Sequence, residues 1–172
     1  MKKSNITNGI ILAIACALLS TTTWAQSPGA TATGKVAGAT ITITYSSPSV
    51  KGRKIYGGLV PFNEVWRTGA NKATIIETDK TVKVEGKALA AGKYSLYAIP
   101  GEKEWTIIIN SQTGQWGINH DGTTTRDVAK DVITVTAKPA KTASLVEAMT
   151  FEVNDKGFSL KWENTEVPVS VK

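Results

Sequence analysis

The feature that most constrains this chain is strict two-residue alternation. Thr40-Ile41-Thr42-Ile43-Thr44-Tyr45 sets β-branched and aromatic residues in a period of two. That period places the Ile residues on one side of a strand and the Thr residues on the other. Further runs of the same kind follow: Ala73 to Thr78, Thr81 to Glu85, Lys93 to Ile99 and Glu104 to Asn110. Asp131 to Lys138, Glu147 to Val153, Phe158 to Glu163 and Val167 to Val171 complete the set. Gly86, Gly92, Pro100-Gly101, Gly114, Pro139 and Gly157 punctuate the junctions. Short strands with turn residues between them predict an all-β fold: a single antiparallel β-sandwich of jelly-roll or immunoglobulin-like size. Ala73–Thr78 and Thr81–Glu85 read as a hairpin closed at Asp79-Lys80. Helical patterning is confined to two single turns, at Pro61 to Val65 and Thr125 to Lys130.

The first 25 residues read differently. Lys2 and Lys3 precede an apolar run from Ile10 to Leu19, and Thr23-Trp24-Ala25 has the form of a cleavage site. The run is shorter than the ~20 apolar residues a membrane span needs. This predicts a signal peptide over 1–25 and a periplasmic or secreted protein after cleavage near Ala25. Cys16 sits inside the apolar run, which continues through Leu18-Leu19, so a lipid-bearing cysteine is not expected. Cleavage removes the only cysteine and leaves 147 of the 172 residues. The exported chain then has no disulfide and no thiol chemistry, and its length suits one domain. Gln26 to Gly38 is Ser-, Pro-, Gly-, Ala- and Thr-rich and reads as a flexible linker, with the sandwich domain over 39–172.

Several function classes lack their sequence marks. Loss of Lys2 and Lys3 lowers the formal charge from +6 to +4. The remaining basic residues are scattered, with no aromatic-interleaved stripe for nucleic acid. No Gly-x-Ser-x-Gly elbow, phosphate loop or dinucleotide fingerprint occurs. His120 is the only histidine, too few donors for a zinc centre. In Asn119-His120-Asp121-Gly122, Val128 stands where a calcium loop needs its acidic ligand. No cofactor and no metal are expected. Glu64, Glu77, Asp121, Asp127 and Asp131 are candidate acids by type only, because no spacing marks a catalytic pair.

Three stretches could carry a site. In Trp66-Arg67-Thr68-Gly69-Ala70-Asn71, Arg67 offers a planar fork of donors to a carboxylate, sulfate or phosphate. Gly69 would allow a sharp turn with exposed amides, and Asn71 would cap or donate. The same string could be a structural corner, with Trp66 packed in the sandwich and Arg67 paired to a carboxylate at the core edge. In Ser46 to Gly58, Arg53 could converge with Arg67 into an anion clamp, or lie on a solvated face with Lys51 and Lys54. In Asn110 to Asp127, Trp116 sets a flat ring beside Gly117. His120 there could act as acid or base if Asp121 or Asp127 oriented it. The candidate ligand-binding residues are therefore Arg53, Trp66, Arg67, Gly69, Asn71, Trp116 and His120, with no catalytic residue assigned.

The strings Ser47-Pro48-Ser49, Gly52-Arg53, Tyr56-Gly57, Val60-Pro61-Phe62 and Trp66-Arg67-Thr68-Gly69-Ala70-Asn71 together resemble an uncharacterised bacterial family, domain of unknown function 2911, frequent in Bacteroidota. The likeness continues through Ala91-Gly92-Lys93-Tyr94-Ser95-Leu96, Glu104-Trp105-Thr106 and Gln115-Trp116-Gly117, and persists to Trp162. The resemblance implies a compact exported β domain whose signature is the Arg67 loop, and it implies no activity. Phe62-Asn63 stands where the family has Tyr-Gly, Lys72 where an acid is usual and His120 near a typical Tyr. Three functions follow as expectations. The first is an envelope binding module for a small anionic or sugar-like ligand. The second is a structural domain that docks an envelope protein. The third, placed last, is a hydrolase using His120 or a carboxylate pair.

Overall fold

The computed structural model describes residues 26–172. The expected signal peptide, its cleavage site and Cys16 lie outside the described residues. Among the described residues ten strands form: β1 (Gly29–Val36), β2 (Ala39–Ser46), β3 (Thr74–Thr78), β4 (Val82–Val84), β5 (Lys87–Leu89), β6 (Gly92–Ile99), β7 (Trp105–Asn110), β8 (Asp131–Ala137), β9 (Ala140–Asn154) and β10 (Gly157–Ser170). One 3-10 turn, Val128–Lys130, precedes β8, and the Asp127 side chain caps it by accepting from the Ala129 N–H. Pro61 to Val65 makes no helical turn. No helix among the described residues is long and apolar enough to cross a membrane.

The expected all-β antiparallel architecture is present. Six strands form one sheet in the order β1-β2-β3-β6-β7-β8. The long β9–β10 ribbon packs across its inner face. The core lies between the two layers. Ile41, Ile43, Ile76, Leu96 and Ile109 come from the sheet, and Phe151, Phe158, Leu160, Trp162, Val167 and Val169 from the ribbon. The alternation of β2 performs as read: Ile41, Ile43 and Tyr45 are buried, whereas Thr44 is exposed. β6 departs from it. Leu96 and Ala98 face the core as expected, but Ser95 and Tyr97 are buried too, on the opposite face. Gln115, from the 111–127 segment, reaches that face and donates to Ser95 Oγ at 3.0 Å and Tyr97 Oη at 2.8 Å.

Three expectations are corrected. The stretch read as a linker holds strand β1, paired with β2 from Gly29↔Ser46 to Val36↔Ala39. Its inward residues are Ala30, Ala32, Gly34 and Val36, small enough to let β9 approach closely. A Cβ at position 34 would stand 2.7 Å from the Val153 carbonyl oxygen. The composition that resembled a linker is the composition of a closely packed edge strand.

β3 and β4 are not a hairpin. Asp79 stays with β2, because the Thr40 N–H donates to Asp79 Oδ1 at 2.7 Å and the Asp79 N–H donates to the Thr40 carbonyl at 3.3 Å. The chain then leaves the sheet, and β4 pairs instead with β5. Glu85 and Gly86, with φ of 45° and 83°, form the tight turn between them. Two successive positive φ values match the twist of a two-residue hairpin. Finally, Phe158–Glu163 and Val167–Val171 belong to one bulged strand up to Ser170, with register shifts on either side of Glu163. Glu163 itself has φ of 56°.

Candidate functional site

The signature string is an excursion from one lane of the large sheet. Trp66 exchanges backbone hydrogen bonds with Ala98 at 2.7 and 2.9 Å, and Thr74 pairs with Leu96 two residues earlier on β6. Arg67 to Ala73 bulge out between them. The Thr74 N–H closes the base on the Arg67 carbonyl at 3.2 Å. Thr68 and Asn71 take positive φ of 51° and 59°. Such conformations need outside support in non-glycine residues. Thr68 receives it: its hydroxyl donates to the Leu96 carbonyl at 2.9 Å, and its own carbonyl accepts from the Thr74 hydroxyl at 2.8 Å.

Gly69 serves a different purpose from the one its sequence suggests. The turning is done by Thr68 and Asn71. Gly69 is small because a Cβ there would lie 3.0 Å from the Ser46 carbonyl oxygen and 3.1 Å from Thr74 Oγ1. Asn71 caps. Its side-chain amide donates to the Ser27 carbonyl at 3.1 Å and to Ser46 Oγ at 3.2 Å, fastening the start of the N-terminal segment.

Trp66 joins an aromatic cluster. Its ring stacks with that of Trp162, centroids 6.0 Å apart and planes 19° apart. Tyr56 and Trp105 meet it edge-on, each at 6.2 Å. Its Nε1–H donates to the Gly69 carbonyl at 3.2 Å, which ties the ring to its own loop. Tyr56 Oη and Trp162 Nε1 are buried without hydrogen-bond partners among the described residues. Burial, then the charge of Glu163, pushes the Tyr56 phenol well above its ordinary value.

Arg67 leaves this loop toward the 111–127 segment. Its Nη1 donates to the Trp116 carbonyl at 3.3 Å, and its guanidinium carbon stands 5.8 Å from the Trp116 ring centroid. Gly117 packs on its aliphatic stem, since a Cβ there would be 2.8 Å from the Arg67 Cβ. Gly117 also holds φ of 91°. No carboxylate lies within ion-pairing distance of Arg67 among the described residues. The expected carboxylate partner at the core edge is therefore absent from that set. Arg67 is half-buried, and burial lowers its pKa, partly opposed by Tyr97. The direction means that its charge is poorly solvated where it stands. Arginine nevertheless remains cationic.

Arg53 and Arg67 both line one cleft of about 480 Å³. Arg53 is held by its own turn: Nε donates to the Val50 carbonyl at 3.1 Å and Nη2 to the Ser49 carbonyl at 2.6 Å. Trp66 and Gly69 line the same cleft. Asn71, Trp116 and His120 do not, although Trp116 acts on it by steadying Arg67. His120 is exposed. Asp121 is occupied by Thr123, whose N–H and hydroxyl both donate to it, and Asp127 by the 3-10 turn. Neither carboxylate orients His120 as a catalytic base would require.

Leu59, Glu64, Ile118 and Trp162 are among the lining residues that the sequence did not single out as a site. Glu64 carried a signal, as an acid three residues before Arg67, but nothing in its spacing separated it from other acids. Trp162 lies far along the chain and reaches the cleft only because β10 crosses the sheet.

These features define an antiparallel β-sandwich domain with an aromatic-walled, arginine-lined cleft at the base of a sheet excursion. The chain belongs to the family described as Protein of unknown function (DUF2911), whose model matches residues 27–171. The match begins before β1, so the N-terminal strand is part of the family's domain. No curated protein and no solved structure matches the chain.

Proposed function

We propose that this is an exported envelope protein whose cleft binds, without turnover, a small ligand bearing a carboxylate, sulfate or phosphate group, acidic sugars included. The observation that carries the reading is the state of Arg67. It is half-buried in the cleft wall, tethered by a carbonyl and a ring, and has no carboxylate partner among the described residues. A partly desolvated cation is stabilised by an anion that it can fork, and a ligand would supply one. The volume supports this, since small-molecule sites run from about 300 to 1,000 Å³. Leu59, Val60, Val65 and Trp66 give the mixed apolar and aromatic wall that such sites use.

The test is calorimetric titration with sulfate, phosphate, short carboxylates and acidic sugars, wild type against Arg67→Ala. Saturable binding that weakens about 10- to 100-fold in the variant is expected, the worth of a charged hydrogen bond. Absence of saturable binding across this set would sink the reading. The export element rests on residues 1–25, and N-terminal sequencing of the protein recovered from the envelope fraction should begin at Gln26.

A second reading, a domain that docks an envelope protein, is favoured by a specific observation. Leu59, Trp116 and Ile118, 48, 47 and 37 % exposed, are large apolar side chains in or beside the cleft walls. Apolar residues grouped on a surface mark interaction sites. A partner captured from envelope extract and lost on Trp116→Ser, with no small ligand bound, would favour it.

A further inference from the structure

We infer that the ligand is a zwitterion, an anionic group and a cationic nitrogen on one short, largely apolar frame. This rests on the binding reading above and narrows it. Glu64 lines the same cleft as Arg53 and Arg67, and no ion pair joins it to any Lys or Arg among the described residues. Opposite charges in one cleft ordinarily find each other if their side chains are free to move. Here both guanidiniums are tethered, Arg53 by the Ser49 and Val50 carbonyls and Arg67 by the Trp116 carbonyl. The cleft thus holds two cations and one anion apart, with Val65 and Trp66 following Glu64 on the wall that leads to Arg67.

For a simple anion, Glu64 is a liability. Its charge opposes the ligand's within the same cleft. For a ligand carrying a cationic nitrogen it becomes a second anchor. Discrimination then works in both directions, because a plain anion leaves Glu64 repelling it and a plain cation meets two arginines. Specificity built from a repulsive group as well as an attractive one is general.

The test is calorimetric titration of the purified protein with straight-chain alkanoates of about four to six carbons, and with the ω-amino acids of the same chain lengths. Each pair differs by one ammonium group. At least one ω-amino acid should bind about three- to fivefold more tightly than its matched alkanoate, the range of a solvent-accessible ion pair. Glu64→Gln should abolish that advantage and tighten the alkanoate by a similar factor. Glu64 is exposed, and an unchanged urea midpoint for Glu64→Gln verifies that the variant is folded. Alkanoate binding that depends on Arg67 but gains nothing from the ammonium group would overturn the zwitterion and leave the anion site standing. An ammonium advantage that survives Glu64→Gln would overturn the role of Glu64 and with it the inference. Failure of both ligand series to bind would overturn the anion reading and the zwitterion together.

Discussion

Arg67 separates two properties that are usually entangled in an arginine, its packing and its charge. The stem lies against Gly117 and the head against Trp116, while no carboxylate depends on it among the described residues. Losing the charge alone therefore leaves no buried anion uncompensated, the circumstance that would cost about 3–5 kcal/mol. Arg67→Met keeps most of the stem, so its urea unfolding free energy should fall by less than about 1.5 kcal/mol, the scale of one hydrogen bond. Anion binding should nevertheless weaken about 10- to 100-fold. A larger loss of stability would return Arg67 to a structural role. Gly117→Ala should behave in the opposite way. Its φ of 91° and the 2.8 Å approach to the Arg67 Cβ both resist a methyl group, so a loss of about 1–3 kcal/mol is expected from strain and overpacking. Arg53, Trp66 and Arg67 were legible as site candidates because their side-chain chemistry is visible in one residue. The reason for Gly117 was not, since it exists only where two loops about fifty positions apart in sequence touch.

At the scale of elements, the strands that alternate Ile with Thr were legible, and the strand of small residues was not. β1 hides its inward face in Ala and Gly, which carry little hydrophobic signal but permit close packing. Gly34→Val should therefore destabilise the fold by about 1–3 kcal/mol, through overpacking against the Val153 carbonyl. Thermal unfolding checks it, and an unchanged midpoint would mean that β1 docks only loosely on β9. The pairing of β3 was misread for a related reason. Asp79 looks like a turn residue, yet it spends its carboxylate on the Thr40 N–H of β2. That hydrogen bond, the first of several causes, holds the Asp79 pKa below its usual 3.8. A carboxyl whose folded pKa is depressed contributes stability that is present above its unfolded pKa. The contribution is lost as pH falls through the folded value. Urea midpoints should thus decline as pH drops below about 4, and Asp79→Asn should flatten part of that decline by lowering the midpoint at neutral pH more than in acid. Asp121, lowered by its hydrogen bonds from Thr123, should account for another part. An acid limb identical in the variant would remove Asp79 from the linkage.

The whole molecule is what makes the cleft. Its walls come from Ser27, from Pro48 to Ala70, from Gly117 to Gly122 and from Trp162. These are brought together by β1 at the sheet edge, the excursion before β3, the segment before β8 and the crossing of β10. No shorter piece of sequence contains the site, which is why sequence reading could propose its residues without deciding whether they converge. The same construction has a thermodynamic consequence. A ligand that needs all four segments binds the folded state and not the unfolded chain, so it must stabilise the fold as a whole. At a free ligand concentration of about 100 times Kd the gain is about 2.7 kcal/mol. For a domain of this size that should raise Tm by about 5–10 °C. Titrating Tm against a bound anion or ω-amino acid should give a rise that continues logarithmically past saturation, as linkage requires. Arg67→Met, binding about 10- to 100-fold more weakly, should cut the rise by about half or more at the same concentrations. If the variant were stabilised as strongly as wild type, the binding would lie elsewhere on the molecule, and the Arg67 loop would be left as the frame that joins β3 to the aromatic cluster.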